Sequence, residues 1–330
     1  MTSARRRLVL QAAACFATLW LVEPARLVAQ EAYPSRTITV VVPYTAGGGV
    51  DSVARLVAED LKASLGQSVI VDNVPGASGM TGAQRVARAD PDGYTLLLAA
   101  AGEIAVNPHL KKLSYDPQRD LAPIGLVARV PNVLAVGGGT PFRTLDDFIA
   151  AAKAAPGTLT YATSGVGNPQ HLAGALFDKL AGVETIHTPY RGAAQQIADV
   201  VGGHVDATYA SLAAILPFIQ EGRARAIAVT SAQRLPALPD VPALAEHPGL
   251  AGYEVVNWFG LFAPAGTPQP VVDRLNAALR GSLDKPTTRA RLEGLGILPS
   301  PDTPSEFAAF VSSETSKFGR IIEQAQIKEE

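Results

Sequence analysis

Residues 38–51 read ITVVVPYTAGGGVD, and this stretch decides the fold class. Its first part, Ile38 to Val42, is a short apolar run of the kind that forms a buried strand. A glycine-rich turn follows, and apolar side chains then recur every three or four residues from Val53 to Leu65, which predicts an amphipathic helix that ends at Gly66. The stretch is therefore predicted to form one βα unit.

The same order recurs at residues 159–172, which read LTYATSGVGNPQHL. A strand is predicted at Leu159–Ala162, and Asn168 followed by Pro169 predicts the start of a helix that ends at Gly182. The other predicted elements are strands at Val69–Val71, Tyr94–Leu98 and Val255–Ala263, and helices that start at the capping boxes Thr144 to Asp147 and Thr303 to Glu306 and at Pro270. The alternation of strands and helices predicts an α/β protein built in layers.

Length and composition narrow the function classes. The 330 residues favour two domains, and 47% hydrophobic against 18% charged residues indicates a soluble globular protein. Lys and Arg total 28 against 30 Asp and Glu, so the net charge of −2 gives no general attraction to nucleic acid. The histidines lack the spacing of a metal site, and the glycine-rich turns lack the patterns of phosphate or dinucleotide loops. We therefore expect no metal, no cofactor, no nucleic-acid partner and no catalysis.

The first 29 residues predict a secretory signal peptide. Arg5, Arg6 and Arg7 form a basic start, and the apolar stretch Leu8 to Leu21 is shorter than the ~20 residues needed to span a bilayer. Removal of residues 1–29 would also remove Cys15, the one cysteine of the chain. The exported chain would then have no disulfide, no thiol nucleophile and no cysteine-bound metal.

The two glycine-rich turns, Pro43 to Asp51 and Thr163 to Pro169, are candidate ligand sites. Glycine lets the backbone approach a ligand closely, and the free N–H groups of a helix start favour an anion such as a carboxylate. Each turn taken alone could serve only to connect a strand to a helix. Both turns follow the carboxyl ends of strands, where open α/β sheets bind ligands, and together they favour an anion site.

Short motifs along the chain stand in the same order as in a known family. They are Pro34-Ser35-Arg36, Val42-Pro43-Tyr44-Thr45-Ala46-Gly47-Gly48 with Asp51, Asp92-Gly93-Tyr94-Thr95-Leu96-Leu97, Asn107-Pro108, Tyr115-Asp116-Pro117, His171-Leu172-Ala173-Gly174, Pro189-Tyr190-Arg191-Gly192, Ala228-Val229-Thr230-Ser231 and Leu261 to Pro268. Over residues 33–325 the chain resembles the Bug receptors, also called TctC-type substrate-binding receptors of tripartite tricarboxylate transporters. The resemblance implies a periplasmic binding protein of the type 2 fold, with two α/β domains, two crossover segments and a ligand cleft between the domains.

The resemblance also implies domain boundaries, ligand contacts and partners. Domain 1 is expected at residues 33–132 plus 256–330 and domain 2 at 133–255, with crossovers at Val130–Val136 and Tyr253–Phe259. The implied partners are a small-molecule carboxylate ligand and inner-membrane transporter subunits, and we expect a monomer in the periplasm. The candidate ligand-binding residues are Tyr44, Thr45, Gly47, Gly48, Glu103, Thr163, Ser164, Gly165, Tyr190, Arg191, Tyr209 and Ser211.

Two positions differ from the common family pattern. Glu103 stands where many members have a loop rich in Ser and Thr, and Ser211 stands in Ala210-Ser211, where Asp-Asn is frequent. Glu103 is either a solvated loop residue or a carboxylate in the cleft, where it would repel an acidic ligand and require a hydrogen-bond donor. Arg191 could bind a ligand carboxylate or be a solvated loop residue, and His171 is expected to have a structural role.

The sequence favours a periplasmic receptor that captures a small organic acid, an amino acid or a nicotinate-like compound. Two alternatives stay open. One is a secreted enzyme that uses the same cleft, for which Glu103 with Tyr44 is the candidate acid–base pair. The other is a ligand sensor that docks to a membrane signalling protein.

Overall fold

A computed structural model describes residues 33–328, so the predicted signal peptide lies outside the described residues. The strands are β1 Ile38–Val42, β2 Val69–Asn73, β3 Thr95–Ala100, β4 Leu121–Gly137, β5 Thr160–Thr163, β6 Ile186–Pro189, β7 Ala207–Ser211, β8 Ala224–Val229, β9 Val256–Pro264 and β10 Leu298–Pro299. In the compact unit that begins at Arg36 they form one sheet in the order β2-β1-β3-β9-β4-β7-β5-β6, and β8 and β10 each pair with β4.

Helices connect these strands. They are α1 Gly49–Leu65, α2 Met80–Ala87, α3 Asn107–Leu110, α4 Pro117–Asp120, α5 Leu145–Ala154, α6 Pro169–Ala181, α7 Ala193–Val201, α8 Leu212–Gln220, α9 Gln269–Leu283, α10 Pro286–Gly294 and α11 Pro304–Gln324. A π-helical turn spans Gly102–Val106, and short 3₁₀ turns span Ala77–Gly79, Leu244–Glu246 and Pro248–Leu250. Within residues 33–328 no helix is long and apolar enough to cross a membrane.

The predicted elements β1 and α1 and the two predicted capping boxes are confirmed. β1 and α1 stand where the opening stretch predicts them, and Gly66 ends α1 in the left-handed conformation with φ 70°. Both capping boxes form, because Thr144 and Thr303 each accept the N–H three residues on, and Asp147 and Glu306 bond back to the cap. These local signals depend on a few neighbouring residues, which is why the sequence predicts them well.

Strand β4 is the main element that the sequence analysis missed. Its 17 residues are nearly all buried and show no alternation of apolar and polar side chains. Pro123 and Pro131 lie within it, and a proline removes one ladder hydrogen bond and normally argues against a central strand. The register shifts between Pro123 and Gly125 and again between Leu126 and Ala128, so irregular pairing accommodates this part of the strand.

β4 joins two groups of parallel strands. Its first part, Leu121 to Pro131, pairs with β9, and its second part, Asn132 to Val136, pairs with β7. β1 is parallel to β2 and β3, and β5 is parallel to β6 and β7. Because β9 and β7 are both antiparallel to β4, and β3 is antiparallel to β9, the β1–β3 group and the β5–β7 group run in opposite directions.

The register shows where the two groups end. Ala100, the last residue of β3, is opposite Phe259 of β9, which is opposite Ala128 of β4. Ser211, the last residue of β7, is opposite Asn132 of β4. The carboxyl ends of both groups therefore converge on the short stretch 128–132 of one strand.

An aromatic cluster packs α11 against β9. Trp258 contacts Phe307 edge to face, with ring centroids 6.0 Å apart, and Phe262 packs on the same ring at 5.0 Å. Gly260 lies between them on β9, and a Cβ there would come within 2.1 Å of the Phe307 ring. The close approach of helix and sheet therefore requires glycine at this position.

We expect Gly260→Ala to destabilise the protein by about 2 kcal/mol, because the added Cβ would force the fully buried Phe307 ring to shift. Urea unfolding should show a lower midpoint. Gly281→Ala is the matched control, since an added Cβ in α9 meets no atom within 4 Å. That control should gain up to about 1 kcal/mol from helix propensity. Equal stability of Gly260→Ala and the native chain would contradict the packing described.

Candidate ligand-binding site

Asp51 holds the first glycine-rich loop in place. Its Oδ2 accepts hydrogen bonds from the Gly47 N–H at 2.9 Å and from Arg55 Nε at 3.0 Å, and its Oδ1 accepts one from Asn73 Nδ2 at 3.0 Å. Asn73 also donates to the Tyr44 carbonyl at 3.1 Å, so one carboxylate ties together β2, α1 and the loop. Burial acts to raise the pKa of Asp51, but the hydrogen bonds from Arg55, Gly47 and Asn73 outweigh it and lower the pKa to about 2.

The start of α1 remains open to a ligand. Residues 45–49 are exposed, and Gly48, which precedes the helix, offers no side chain to cap it. The N–H groups of the first helical turn have no partner inside the helix, and they lie at the positive end of its dipole. The expectation that the Gly47 N–H is also free is wrong, because Asp51 accepts it.

Glu103 is a buried residue of the π-helical turn that follows β3. Its exposed fraction is 0%, so the interpretation as a solvated loop glutamate is wrong. Its Oε2 accepts the Tyr44 hydroxyl at 2.6 Å, and its Oε1 accepts the Ala100 N–H at 2.8 Å. Its neighbours Ile104, Ala105 and Val106 are buried as well, so packing of the apolar turn draws the carboxyl inward. Burial raises the pKa of Glu103 to about 7, although the Tyr44 hydrogen bond opposes the rise.

Two residues that the sequence analysis did not assign complete this cluster. Tyr115 donates its hydroxyl to the Glu103 carbonyl at 2.7 Å. Gly79 covers the carboxyl, since a Cβ there would lie 3.1 Å from Glu103 Cδ and 3.2 Å from the Tyr44 hydroxyl oxygen. Its φ of +88° also favours glycine. The glycines at 76 and 79 were visible in the sequence, but nothing local links them to a glutamate further along the chain.

The second glycine-rich loop is held by side chains of the loop itself and of the first turn of α6. The Ser164 N–H is donated to Gln170 Oε1 at 2.8 Å, and the Gly167 N–H to His171 Nδ1 at 3.2 Å. Thr163 is fully buried, and its hydroxyl donates to the Gly165 carbonyl at 2.8 Å. The N–H groups of Ser164 and Gly167 are therefore not free, and the expectation of an available backbone donor is wrong at Ser164.

Two stacked imidazoles contact this loop. The rings of His171 and His187 lie 3.8 Å apart and nearly parallel, and His187 Nε2 is 2.7 Å from the Thr163 hydroxyl oxygen. Burial lowers the pKa of His171 to about 4 and that of His187 to about 3, so both rings are neutral near pH 7. The structural role expected for His171 agrees with these contacts.

The remaining candidates lie at the ends of β6 and β7. Tyr190 donates its hydroxyl to Asp199 at 2.7 Å, whereas Arg191 is exposed and has no carboxylate partner among residues 33–328. Tyr209 is buried in the sheet, and its ring contacts Tyr161 edge to face. Ser211, the last residue of the same strand, is partly exposed.

Two more helices begin at these residues without a side-chain cap. α7 follows Gly192 directly, and α8 follows Ser211. By contrast, Asn168 caps α6 through its side chain. Of the helices that follow β1, β5, β6 and β7, those that start without a side-chain cap and can receive an anion are therefore α1, α7 and α8. In the described part of the chain no three His, Cys, Asp or Glu side chains group as metal ligands would.

Comparison with known proteins identifies the class and then the family. The fold is the mixed α/β fold of periplasmic binding proteins, and the model of the tripartite tricarboxylate transporter family receptor, TctC, matches residues 53–327. The chain therefore belongs to the TctC receptor family, as the motifs in its sequence predict.

Three solved structures are similar over most of their length. R. palustris Rpa4515, solved with adipate, is 36% identical with a TM-score of 0.80, covering 90% of this chain and 99% of that one. The periplasmic binding protein BugD is 35% identical with a TM-score of 0.76, covering 90% and 100%. MatC from Rhodopseudomonas palustris, with bound malate, is 35% identical with a TM-score of 0.75, covering 88% and 100%.

We expect Asp51→Asn to destabilise the protein by about 1–3 kcal/mol at pH 7, because an amide nitrogen would face another donor in place of a carboxylate oxygen. The folded-state pKa of Asp51 is depressed, so its contribution is present above the unfolded pKa and is lost as the pH falls toward about 2. Urea unfolding of both proteins should therefore show a difference that shrinks between pH 4 and pH 2. A difference that stays constant down to pH 2 would contradict this role.

Proposed function

We propose that this protein is a periplasmic receptor that captures a small carboxylate-bearing metabolite and delivers it to a membrane transporter of the tripartite tricarboxylate type. The observation that carries the proposal is the convergence of two oppositely directed strand groups on residues 128–132, with uncapped helix starts at the ends of β1, β6 and β7. Backbone N–H groups approaching from both groups suit a ligand with an anionic group at each end. The ligands named for Rpa4515 and MatC, adipate and malate, are of this kind.

The charges around the site support an anion as the ligand. Asp51 is compensated by Arg55 and by two further N–H donors, Gly47 and Asn73, so it adds little free negative charge to the loop. The guanidinium of Arg191 is exposed and without a carboxylate partner in the described chain, and it can form paired hydrogen bonds with a carboxylate. Bridging waters can complete the contacts at little cost in affinity.

We propose further that the two strand groups belong to two lobes that close on the ligand. Residues 33–132 with 256–330 form one lobe and 133–255 the other, joined where β4 and β9 pass between them. Thr45, Gly47 and Gly48 would contact the ligand from the first lobe, and Ser164, Gly165, Tyr190, Arg191 and Ser211 from the second. Few covalent connections oppose the rotation of two such lobes, and the receptor would act as a monomer.

The arrangement of Tyr44 and Glu103 favours binding over catalysis. Both carboxylate oxygens of Glu103 already accept hydrogen bonds, and burial raises the pKa of Tyr44 well above its usual value. A phenol of that kind stays neutral and does not act as a base near pH 7. Thr163 and Tyr209 are buried and would stabilise the second lobe by packing inside it.

A ligand sensor would use the same ligand site as a transport receptor. A transport assay in cells that lack the receptor distinguishes the two roles, because uptake of the ligand depends on the receptor only if its partner is a transporter.

Calorimetry with adipate and malate tests the proposal. We expect the native protein to bind at least one of these acids and Gly48→Val to bind at least tenfold more weakly, a loss of about 1.4 kcal/mol, because valine blocks the approach to the helix start. The fold should be retained, since φ at Gly48 is −78° and an added Cβ meets only the Thr45 carbonyl at 3.6 Å.

Gly139→Val is the matched control for this experiment. Gly139 is an exposed glycine beyond the end of β4, and an added Cβ there meets nothing within 4 Å. The control should bind as the native protein does. If Gly48→Val and the control bind a carboxylate equally well, the first loop is not part of the site. If the native protein binds neither acid nor any other small carboxylate, the proposed function is wrong.

A further inference from the structure

Glu103 differs from the other deeply buried carboxylates in having no cationic partner. Among residues 33–328 the exposed fraction is 0% for Glu103, 3% for Asp51 and 5% for Glu314. Asp51 pairs with Arg55 at 3.0 Å and Glu314 with Lys317 at 2.5 Å. The side-chain contacts of Glu103 are the Tyr44 hydroxyl and the Ala100 N–H, which are both neutral donors. A buried carboxylate compensated only in this way readily binds a proton.

Protonation would reverse the polarity of the Tyr44 contact. With Glu103 ionised, the single hydroxyl proton of Tyr44 is committed to Glu103 Oε2. With a proton on Oε2, the carboxylic acid donates to the Tyr44 oxygen instead, and the phenol proton becomes available for another acceptor. The pair can therefore hold one additional proton without losing its hydrogen bond.

Tyr44 also connects this pair to the open helix start. It immediately precedes the exposed loop 45–49, and its carbonyl accepts Asn73, which also bonds Asp51. An anion bound at the start of α1 would thus contact the loop that follows Tyr44, and Tyr44 bonds the buried carboxylate of Glu103. Like charges repel strongly where water is excluded, and the repulsion disappears when Glu103 is neutral.

We propose that Glu103 takes up a proton when an anionic ligand binds at the loop formed by residues 44–49, so that capture of the anion is coupled to protonation of the receptor. This inference rests on the proposed function. On this proposal Glu103 does not touch the ligand. It selects the charge of the ligand through Tyr44, which precedes the exposed loop. The receptor holds an anionic ligand while Glu103 is protonated. It favours a ligand that places a cationic or donor group at the loop while Glu103 is ionised.

Titratable groups on the elements packed around Glu103 have other partners. Tyr115 donates to the Glu103 carbonyl, and burial raises the pKa of Tyr115 and of Tyr44, so both stay neutral. His109 on α3 bonds the Thr315 carbonyl of α11. On α11, Glu314 pairs with Lys317, and on α4, Arg119 pairs with Asp120. Replacement of Glu103 alone therefore separates its titration from theirs.

The test is calorimetry with malate and adipate, which are fully ionised above pH 7, in buffers of different ionisation enthalpy. We expect the native protein to take up close to one proton per bound anion at pH 8. Its affinity should fall about fiftyfold from pH 7 to pH 9, because a pKa of about 7 leaves half of the receptors protonated at pH 7 and about one in a hundred at pH 9. Glu103→Gln is the matched variant, because the neutral amide can accept the Ala100 N–H and donate to Tyr44, as the protonated acid does. It should bind without proton uptake, with an affinity that does not change over this range.

Two further measurements keep the outcome interpretable. Glu314→Gln removes a different buried carboxylate and should keep the native pH profile. Without ligand, the folded-state pKa of Glu103 is raised, so its contribution to stability is present below the unfolded pKa and is lost as the pH rises through about 7. The free energy of unfolding of the native protein should therefore fall relative to Glu103→Gln between about pH 4.5 and pH 7, which also confirms that the variant folds.

The outcomes distinguish this inference from the proposed function. Binding of either acid without proton uptake overturns the role of Glu103 and leaves the receptor function in place. Proton uptake that persists in Glu103→Gln assigns the proton to another group and also overturns the inference. If the native protein binds neither these acids nor other small carboxylates between pH 6 and pH 9, both proposals fail together.

Discussion

The pairing of one long strand with two oppositely directed strand groups is the constraint on which the rest of the structure depends. β4 pairs with β9 over its first part and with β7 over its second, and the change falls between Pro131 and Asn132. Since the groups run in opposite directions, their carboxyl ends meet at this point instead of lying at opposite ends of the sheet. Loops and helix starts from both groups are thereby brought toward one place, although they are distant in sequence.

The proposed site would bind an anion mainly through backbone groups, so the few buried charges near it matter more than the net charge of −2. Asp51 and Glu103 illustrate two solutions to carboxylate burial. Asp51 is held ionised by Arg55 and several N–H donors, and it serves to shape the loop. Glu103 has only neutral donors, and burial raises its pKa to about 7. Asp51 therefore stabilises the loop, whereas Glu103 can exchange a proton near pH 7.

The sequence predicted those parts of the fold that local patterns encode. β1, α1 and both capping boxes depend on neighbouring residues, and the family motifs identified the architecture. β4 was missed because its prolines and continuous burial hide a strand whose pairing is irregular. The burial of Glu103 was equally invisible, since it depends on Tyr44, Tyr115 and Gly79 from distant parts of the chain. The backbone donors expected at Gly47 and Ser164 are bonded by side chains that the turn pattern alone does not reveal.

The proposed site requires that loops from both strand groups hold one ligand. Amide hydrogen exchange with and without saturating malate or adipate tests it most directly, because it reports on each loop separately. We expect slower exchange on binding both in residues 44–51, at the end of β1, and in residues 190–194, at the end of β6. Slower exchange confined to one of these segments, with the other unchanged at saturation, would contradict a site shared between the two groups.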